Sequence, residues 1–291
     1  MKVVVIGAGI MGNGIAQVSA MAGHDVVMSD VSPEALERAL GTINTSLGRL
    51  VKAEKLTQDE ADAVPGRINT GTDLAALCTD ADVVIEAVTE VAEVKHEVIG
   101  TAVANAPSTA LFGTNTSQIS ITSIGATIGD AADRLVGMHF FNPPVMMRLV
   151  ELIRGLRTSD ETLERAKEFA LGLGKEVVVC QKDSPGFLTS RIAAILRLEA
   201  LRMYEEGLGS AEDIDKAIRL AFNHPMGPLE LGDFNGYDTY LHAVTALEKA
   251  HGERFRPTVT LKNMVAAGRL GRKTGVGFYR YDENGKKIGP A

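Results

Sequence analysis

The stretch that most limits how this chain can fold is its first: Lys2-Val-Val-Val-Ile6, then Gly7-Ala-Gly9-Ile10-Met11-Gly12-Asn-Gly14-Ile-Ala-Gln17. A short β-branched run reads as a strand buried on both faces. It passes straight into G-x-G-x-x-G and then into residues that favour helix. Each glycine has a physical task in such a turn. Gly7 makes the tight reversal, Gly9 lets the backbone approach a pyrophosphate, and Gly12 lets the helix pack on the strand. The backbone of Ile10 and Met11 belongs to the same turn. Free N–H groups and the dipole at the helix start favour negative charge there. In a chain with 30 glycines the pattern alone is weak; here it has a strand before it and a helix after it.

A second strand, Asp25-Val-Val-Met-Ser29, ends in Asp30, about 20 residues past the glycines, where a dinucleotide site places an acid. A carboxylate there accepts hydrogen bonds from both adenosine ribose hydroxyls and repels a 2′-phosphate. Val31-Ser32-Pro33 supplies no Arg or Lys to welcome that phosphate. The reading is therefore NAD rather than NADP. Asp30 is not needed to open the next helix, since Ser32 is a good N-cap and Pro33 a good first residue.

The following segments alternate. A helical region is expected from Pro33 to about Leu56, with Glu34, Glu37, Arg38 and Arg49 on a solvent face. Thr57-Gln-Asp-Glu60 is a capping box, and Pro65 ends the helix it opens. Strands are expected at Arg67–Thr70, Asp82–Glu86, Thr109–Phe112, Arg134–Met138, Leu149–Ile153 and Glu176–Cys180, with a helix over Glu93–Val103. That order makes an α/β fold, an N-terminal Rossmann-type doubly wound sheet that is largely parallel. From Asp183 the strands stop until Gly277–Tyr281. Ser184 and Pro185 suit a helix start, and a long helix is expected from there to about Glu206, apolar on more than one side (Leu188, Ile192, Ile195, Leu198; Ala193, Ala194, Leu196, Leu201). Ser210 caps another. The expected domains are 1–182, the dinucleotide-binding sheet, and 183–291, a smaller all-helical domain.

Composition excludes other classes. The 291 residues are 45% hydrophobic and 23% charged, and the net charge of −7 speaks against nucleic acid or an anionic membrane as partner. Cys78 and Cys180 lie far apart and at no metal-ligand spacing, so no metal is expected and both are expected reduced, as in a cytoplasmic protein. The uncharged stretch Val98–Gly129 is too rich in Ser, Thr, Asn, Gly and Pro to span a membrane. Met1 leads directly into the first strand, and no signal peptide is expected.

Three residues fall at strand C-terminal ends, where a doubly wound sheet binds its ligands: Ser117, in Gly113-Thr-Asn-Thr-Ser117; His139, in Gly137-Met-His-Phe-Phe-Asn-Pro143; and Glu151, in Val150-Glu-Leu-Ile153. An acid among Leu149, Val150, Leu152 and Ile153 needs a partner if buried, and a histidine would serve. Such a pair is a general base: the carboxylate fixes the imidazole tautomer and stabilises the imidazolium. Pattern alone equally accommodates a core histidine, an edge-strand glutamate and a turn-forming serine.

The glycine fingerprint, Asn115-Thr-Ser117, Gly137-Met-His-Phe-Phe-Asn-Pro143, Val150-Glu151, Ser184-Pro-Gly-Phe187, His224-Pro-Met-Gly-Pro228 and Lys273-Thr-Gly-Val-Gly-Phe-Tyr279 stand in order along nearly the whole chain. Together they resemble the L-3-hydroxyacyl-CoA dehydrogenases, and the length is like that of the bacterial 3-hydroxybutyryl-CoA dehydrogenases. The resemblance implies an NAD-linked oxidation of short 3-hydroxyacyl-CoA thioesters in fatty-acyl or butanoate metabolism. His139 would take the 3-hydroxyl proton, Glu151 would orient it, and Ser117 would bind the reacting oxygen and help seat the nicotinamide. Asn142, Glu90, Lys95 and Lys273 match cofactor-contacting positions. Ser46 and Lys52 match positions that contact the CoA part. A homodimer through the helical domain is implied as well. One position departs from the family: after Ser-Pro-Gly-Phe it usually reads two residues and then Asn-Arg, where this chain has Leu188-Thr189-Ser190-Arg191. Ser190 thus stands at the place of an active-site Asn, offering a shorter donor of different geometry. Two other readings are a dehydrogenase of a 3-hydroxy acid without CoA and a weakly active NAD-binding protein.

Overall fold

Alternation within each strand decides the layering. In β1 (Lys2–Ile6) Val3 and Val5 face one apolar cluster and Val4 and Ile6 the opposite one, as expected of a strand covered on both faces. The computed structural model describes residues 1–291, which divide into two compact units, Met1–Phe187 and Leu188–Ala291.

The first unit is an eight-stranded sheet. Its strands are β1, β2 (Asp25–Ser29), β3 (Ile68–Gly71), β4 (Val83–Glu86), β5 (Leu111–Thr114), β6 (Leu135–Phe140), β7 (Leu149–Ile153) and β8 (Glu176–Cys180), in the order β3-β2-β1-β4-β5-β6-β7-β8. Helices α1 (Ile10–Met21), α2 (Pro33–Lys52), α3 (Gln58–Ala63), α4 (Leu74–Leu77), α5 (Ala92–Asn105), α6 (Ile121–Gly125) and α7 (Asp160–Gly172) link them. All pairings are parallel except β6 with β7. The expected caps are present. Ser32 Oγ accepts from Ala35 N–H at 3.1 Å, and Thr57 and Glu60 close a reciprocal capping box. Helix α2 stops short of Leu56 because Glu54 sits at φ 55° while the N–H groups of Glu54 and Lys55 fold back onto Val51 and Leu50 carbonyls.

The expected helix start at Ser184 is corrected. Gly186 and Phe187 hold φ of 80° and 47°, so Ser184–Phe187 is a turn closed by Phe187 N–H on the Ser184 carbonyl at 2.9 Å. A left-handed pair cannot continue a right-handed helix. Helix α8 begins at Thr189 and runs to Glu205.

The second unit continues with α9 (Ala211–Ala221), α10 (Pro228–Asn235), α11 (Tyr237–His251) and α12 (Val259–Ala266), and a small hairpin of β9 (Tyr279–Tyr281) with β10 (Lys287–Pro290). β10 was not expected from the sequence. Buried carboxylates brace this unit. Asp215 accepts from the N–H groups of Leu229 and Glu230, at the start of α10, and from the Tyr279 hydroxyl; Asp233 accepts from the N–H groups of Phe278 and Tyr279. The apolar face of α8 also differs from expectation. Ala194, Leu198 and Leu201 are buried in its cluster, while Ile192 is 66% exposed.

Candidate active site

The glycine turn is shaped as its sequence implied. Gly7 sits at φ 105°, and a Cβ there would meet the Ala87 carbonyl oxygen at 2.7 Å. A Cβ on Gly12 would run into the Gly7 carbonyl oxygen, so Gly12 packs the helix onto the turn itself. Around Gly9 no atom lies within 4 Å of a built Cβ, which leaves open the side from which a phosphate would come. Gly9 is the N-cap of α1 and supplies no side-chain cap, and no acid lies in the first turn. The N–H groups of that turn, Ile10 and Met11 among them, are thus available to an anion.

Asp30 closes the other side of the turn. Its Oδ2 accepts from Ala8 N–H at 2.8 Å and its Oδ1 from Ser32 N–H at 3.0 Å. Each oxygen keeps a second lone pair for a ribose hydroxyl. The same carboxylate therefore draws the glycine turn onto the end of β2, a role the sequence did not disclose. Open glycine, uncapped helix start and half-buried acid together fit a dinucleotide.

Past β4 and β5 lies a charged cluster. Lys95 on α5 is 1% exposed, its Nζ 2.6 Å from Glu86 Oε1 and 3.2 Å from Glu90 Oε2. Glu86, at the end of β4 and 0% exposed, also accepts from Val88 N–H and from the Thr114 hydroxyl. Glu90 accepts from Thr116 Oγ1 (2.6 Å), Ser117 N–H (2.9 Å) and Ser117 Oγ (3.3 Å). Burial alone would raise the Glu90 carboxyl, but the Lys95 ammonium and these donors outweigh it and hold it below the usual range. Lys95 thus spends its charge on two carboxylates, and Glu90 is the member that reaches Ser117.

The centre of the site is a directly opposed pair. In the antiparallel register of β6 and β7, His139 stands across from Glu151, so both side chains leave the same face of the sheet. Nδ1 of His139 and Oε2 of Glu151 are 3.1 Å apart, with side chains 9% and 0% exposed. A carboxylate on Nδ1 fixes the proton there and leaves Nε2 as the basic nitrogen. The rings of Phe141 and Phe187 lie 4.6 and 5.9 Å from the imidazole. Asn115 Oδ1 accepts from Phe140 N–H at 2.8 Å, tying the end of β5 to that of β6. Asn142 lies two residues past β6.

A groove of about 840 Å³ runs between α1, α2 and the segment Pro143–Met146. Ser46 lines it. Lys52, exposed at the end of α2, does not; Arg38, Arg49 and Lys55 do. Sequence reasoning assigned Arg38 and Arg49 to a solvated face, and both are exposed; the groove beside them was not foreseen, since periodicity does not show which loop will approach a helix. It also missed Lys175, whose buried Nζ donates to the carbonyls of Pro144 (2.5 Å) and Met147 (3.0 Å) and so holds the groove's far wall. Burial without a counter-ion lowers its pKa. In the second unit, Ser190 lies half-buried in the first turn of α8, and Lys273 pairs with Asp238 at 2.6 Å.

Comparison with known proteins accords with these features. Residues 2–184 match the family model of the 3-hydroxyacyl-CoA dehydrogenase NAD-binding domain, and residues 186–281 that of the C-terminal domain. A probable 3-hydroxybutyryl-CoA dehydrogenase of Deinococcus radiodurans is 44% identical over 282 residues, covering 97% of this chain and 100% of its own. A 3-hydroxybutyryl-CoA dehydrogenase of Bradyrhizobium diazoefficiens is 44% identical over 281 residues, covering 96% and 95%. Among solved structures, the (S)-3-hydroxybutyryl-CoA dehydrogenase of Ralstonia eutropha is similar with a TM-score of 0.92 and 43% identity, over 97% of this chain and 99% of that one.

Proposed function

This chain belongs to the 3-hydroxyacyl-CoA dehydrogenase family, and from that premise we propose that it oxidises short-chain (S)-3-hydroxyacyl-CoA thioesters, 3-hydroxybutyryl-CoA among them, reversibly to 3-ketoacyl-CoA. The observation that carries the chemistry is the His139–Glu151 pair at 3.1 Å. When bound, NAD supplies the acceptor for the hydride that leaves C3. His139 Nε2 takes the proton of the 3-hydroxyl as that bond breaks. Glu151 holds the ring and stabilises the imidazolium, a gain realised only as charge develops. Ser117, held through its backbone N–H on Glu90, turns its single hydroxyl proton from Glu90 to the reacting oxygen. The first turn of α1 holds the pyrophosphate and Asp30 the ribose, and Asn142 and Glu90 meet the cofactor beyond β6 and β4; Lys273 is assigned a cofactor contact from its match to the family. Ser46, with Arg38, Arg49 and Lys55 lining its groove, receives the CoA part, to which Lys52, exposed at the end of α2, is assigned as well.

Reduction of acetoacetyl-CoA against free acetoacetate, followed by NADH oxidation, tests the substrate class. Turnover of the thioester is expected, and reaction of the free acid alone would sink the CoA assignment. Ser190 replaces the amide usual at its position. Restoring it with Ser190→Asn is expected to keep or raise kcat/KM on acetoacetyl-CoA, by up to ~10²-fold if a transition-state hydrogen bond is regained. A large loss would show that the hydroxyl suits another acyl group. We also assign homodimerisation to the helical unit, where Ile192, Leu220 and Phe222 stand exposed, and a cytoplasmic setting, in keeping with two buried free thiols. No helix is long and apolar enough to cross a membrane.

A further inference from the structure

One carboxylate ties together two segments on which the site depends, yet takes no part in the chemistry described so far. Asp183 follows β8 and is half-buried. Its Oδ2 accepts from the Ser120 hydroxyl at 2.5 Å and from Thr122 N–H at 2.8 Å, while its Oδ1, shielded from solvent, meets no donor. Ser120 is the N-cap of α6, its Oγ accepting from Ser123 N–H at 3.1 Å. A carboxylate that accepts from both the cap hydroxyl and a first-turn N–H fixes where this helix starts.

On one side of this latch is the loop that carries Ser117. The N–H groups of Ser117 and Gln118 donate to Glu90, and that of Ile119 to Thr116 Oγ1. Three residues past Ser117 the loop is fixed again, at Ser120. On the other side is the turn Ser184–Phe187. Phe187 is 3% exposed and holds φ 47°, a conformation that a residue with a Cβ keeps only where its surroundings impose it. Its ring meets the imidazole of His139 edge-on, at 5.9 Å and 62°. It belongs to the same apolar cluster as Ile121, the first residue of α6, and Ile153 on β7.

We propose that Asp183 is a positioning residue of the active site: its hold on Ser120 and Thr122 sets the ring of Phe187 against His139 and fixes the loop of Ser117. The inference rests on the reading of His139 as the base. Glu151 grips the imidazole at Nδ1, and a single hydrogen bond leaves a planar ring free to tilt about it. The edge of Phe187 and the ring of Phe141, 4.6 Å away, remove that freedom. A misplacement of about 1 Å is enough to cost ~10²-fold in rate. The latch needs an acceptor oxygen and not its charge. Both donors go to one oxygen of Asp183, and an amide oxygen has two lone pairs to receive them.

The test measures acetoacetyl-CoA reduction per NADH-binding site in the wild type, Asp183→Ala, Asp183→Asn, Phe187→Leu and the double variant of Asp183→Ala with Phe187→Leu. Asp183→Ala is expected to lower kcat by roughly 10- to 100-fold, with KM and NADH affinity little changed, and Asp183→Asn to restore most of the rate. The double variant is expected to be no slower than the slower single one, since both changes release the same ring. A latch that serves folding alone would lower Tm and the number of NADH sites but leave kcat per site as it was. Wild-type kcat per site in Asp183→Ala, an Asn variant as slow as the Ala one, or losses that multiply in the double variant overturns the inference. Should Asp183→Ala fail to accumulate, Phe187→Leu decides: a wild-type kcat per site there overturns the inference, and a loss of roughly 10-fold or more supports it. Wild-type turnover with an unaffected Asp183→Ala defeats this inference only, whereas no turnover of the thioester by the wild type defeats the dehydrogenase reading beneath it.

Discussion

Replacing His139 by Gln is expected to lower kcat on acetoacetyl-CoA by 10²- to 10⁴-fold, the range attributed to a positioned general acid–base group, while NADH still binds. The choice of Gln matters. Glu151 is 0% exposed, and an alanine at 139 would leave its carboxylate buried without that donor, mixing a folding defect into the kinetics. The glutamine amide still donates toward Oε2 but has no titratable nitrogen. Loss of turnover without loss of stability would therefore isolate the proton transfer. Glu151→Gln is a milder probe of the same pair, since it leaves the imidazole in place but no longer stabilises its charged form. It is expected to reduce kcat with little change in NADH affinity, measured by nucleotide fluorescence. If His139→Gln turns over at the wild-type rate, the base lies elsewhere and the proposed oxidation mechanism fails.

How much of this was legible beforehand follows from what sequence signals encode. β1 and β2 coincide with their apolar runs, because a strand covered on both faces must be apolar throughout, whereas β8 matches its Val-rich run although it is a half-buried strand at the sheet edge. The cap at Ser32 was equally plain, since the preference for Ser there is local. The pairing of His139 with Glu151 was reached from the need of a buried acid for a partner. The geometry that delivers it is the antiparallel turn of β7 in an otherwise parallel sheet, and that direction is decided by the connecting segment, not by the strand's composition. Buried cations were the systematic omission. Lys175 and Arg197 sit in stretches whose periodicity allows a solvated side chain; only the approach of the Pro144–Met147 carbonyls to one and of the Tyr240 ring to the other reveals their burial. Lys95 was read as a cofactor contact, and its distances show an ammonium already engaged by Glu86 and Glu90.

That engagement predicts the largest stability effect in the first unit. Lys95→Met keeps the length and apolar stem of the side chain but removes the charge between two carboxylates. Glu86 would be left as a buried anion with only the Val88 N–H and the Thr114 hydroxyl as donors. Breaking one side of a buried pair in this way costs about 3–5 kcal/mol, which for a chain of this size lowers Tm by roughly 10 °C. The pH dependence gives the effect its signature. In the wild type, the Glu90 pKa is held below its ordinary value by Lys95, Thr116 and Ser117 against the opposing effect of burial. Its contribution is therefore complete above the unfolded carboxylate pKa and is lost as pH falls through the lowered folded value. In the variant Glu90 loses the same ammonium, 3.2 Å away in the wild type, so that contribution falls away with it. The Tm difference between the two proteins should accordingly be widest near neutral pH and narrow only as pH falls below the ordinary carboxylate range. Adding Glu86→Gln to Lys95→Met should recover part of the loss at pH 7, because the second change removes the buried charge itself. A difference in Tm that is small at neutral pH, or that widens on acidification, would mean that the Glu86–Lys95 contact is not the strong pair its 2.6 Å separation and burial indicate.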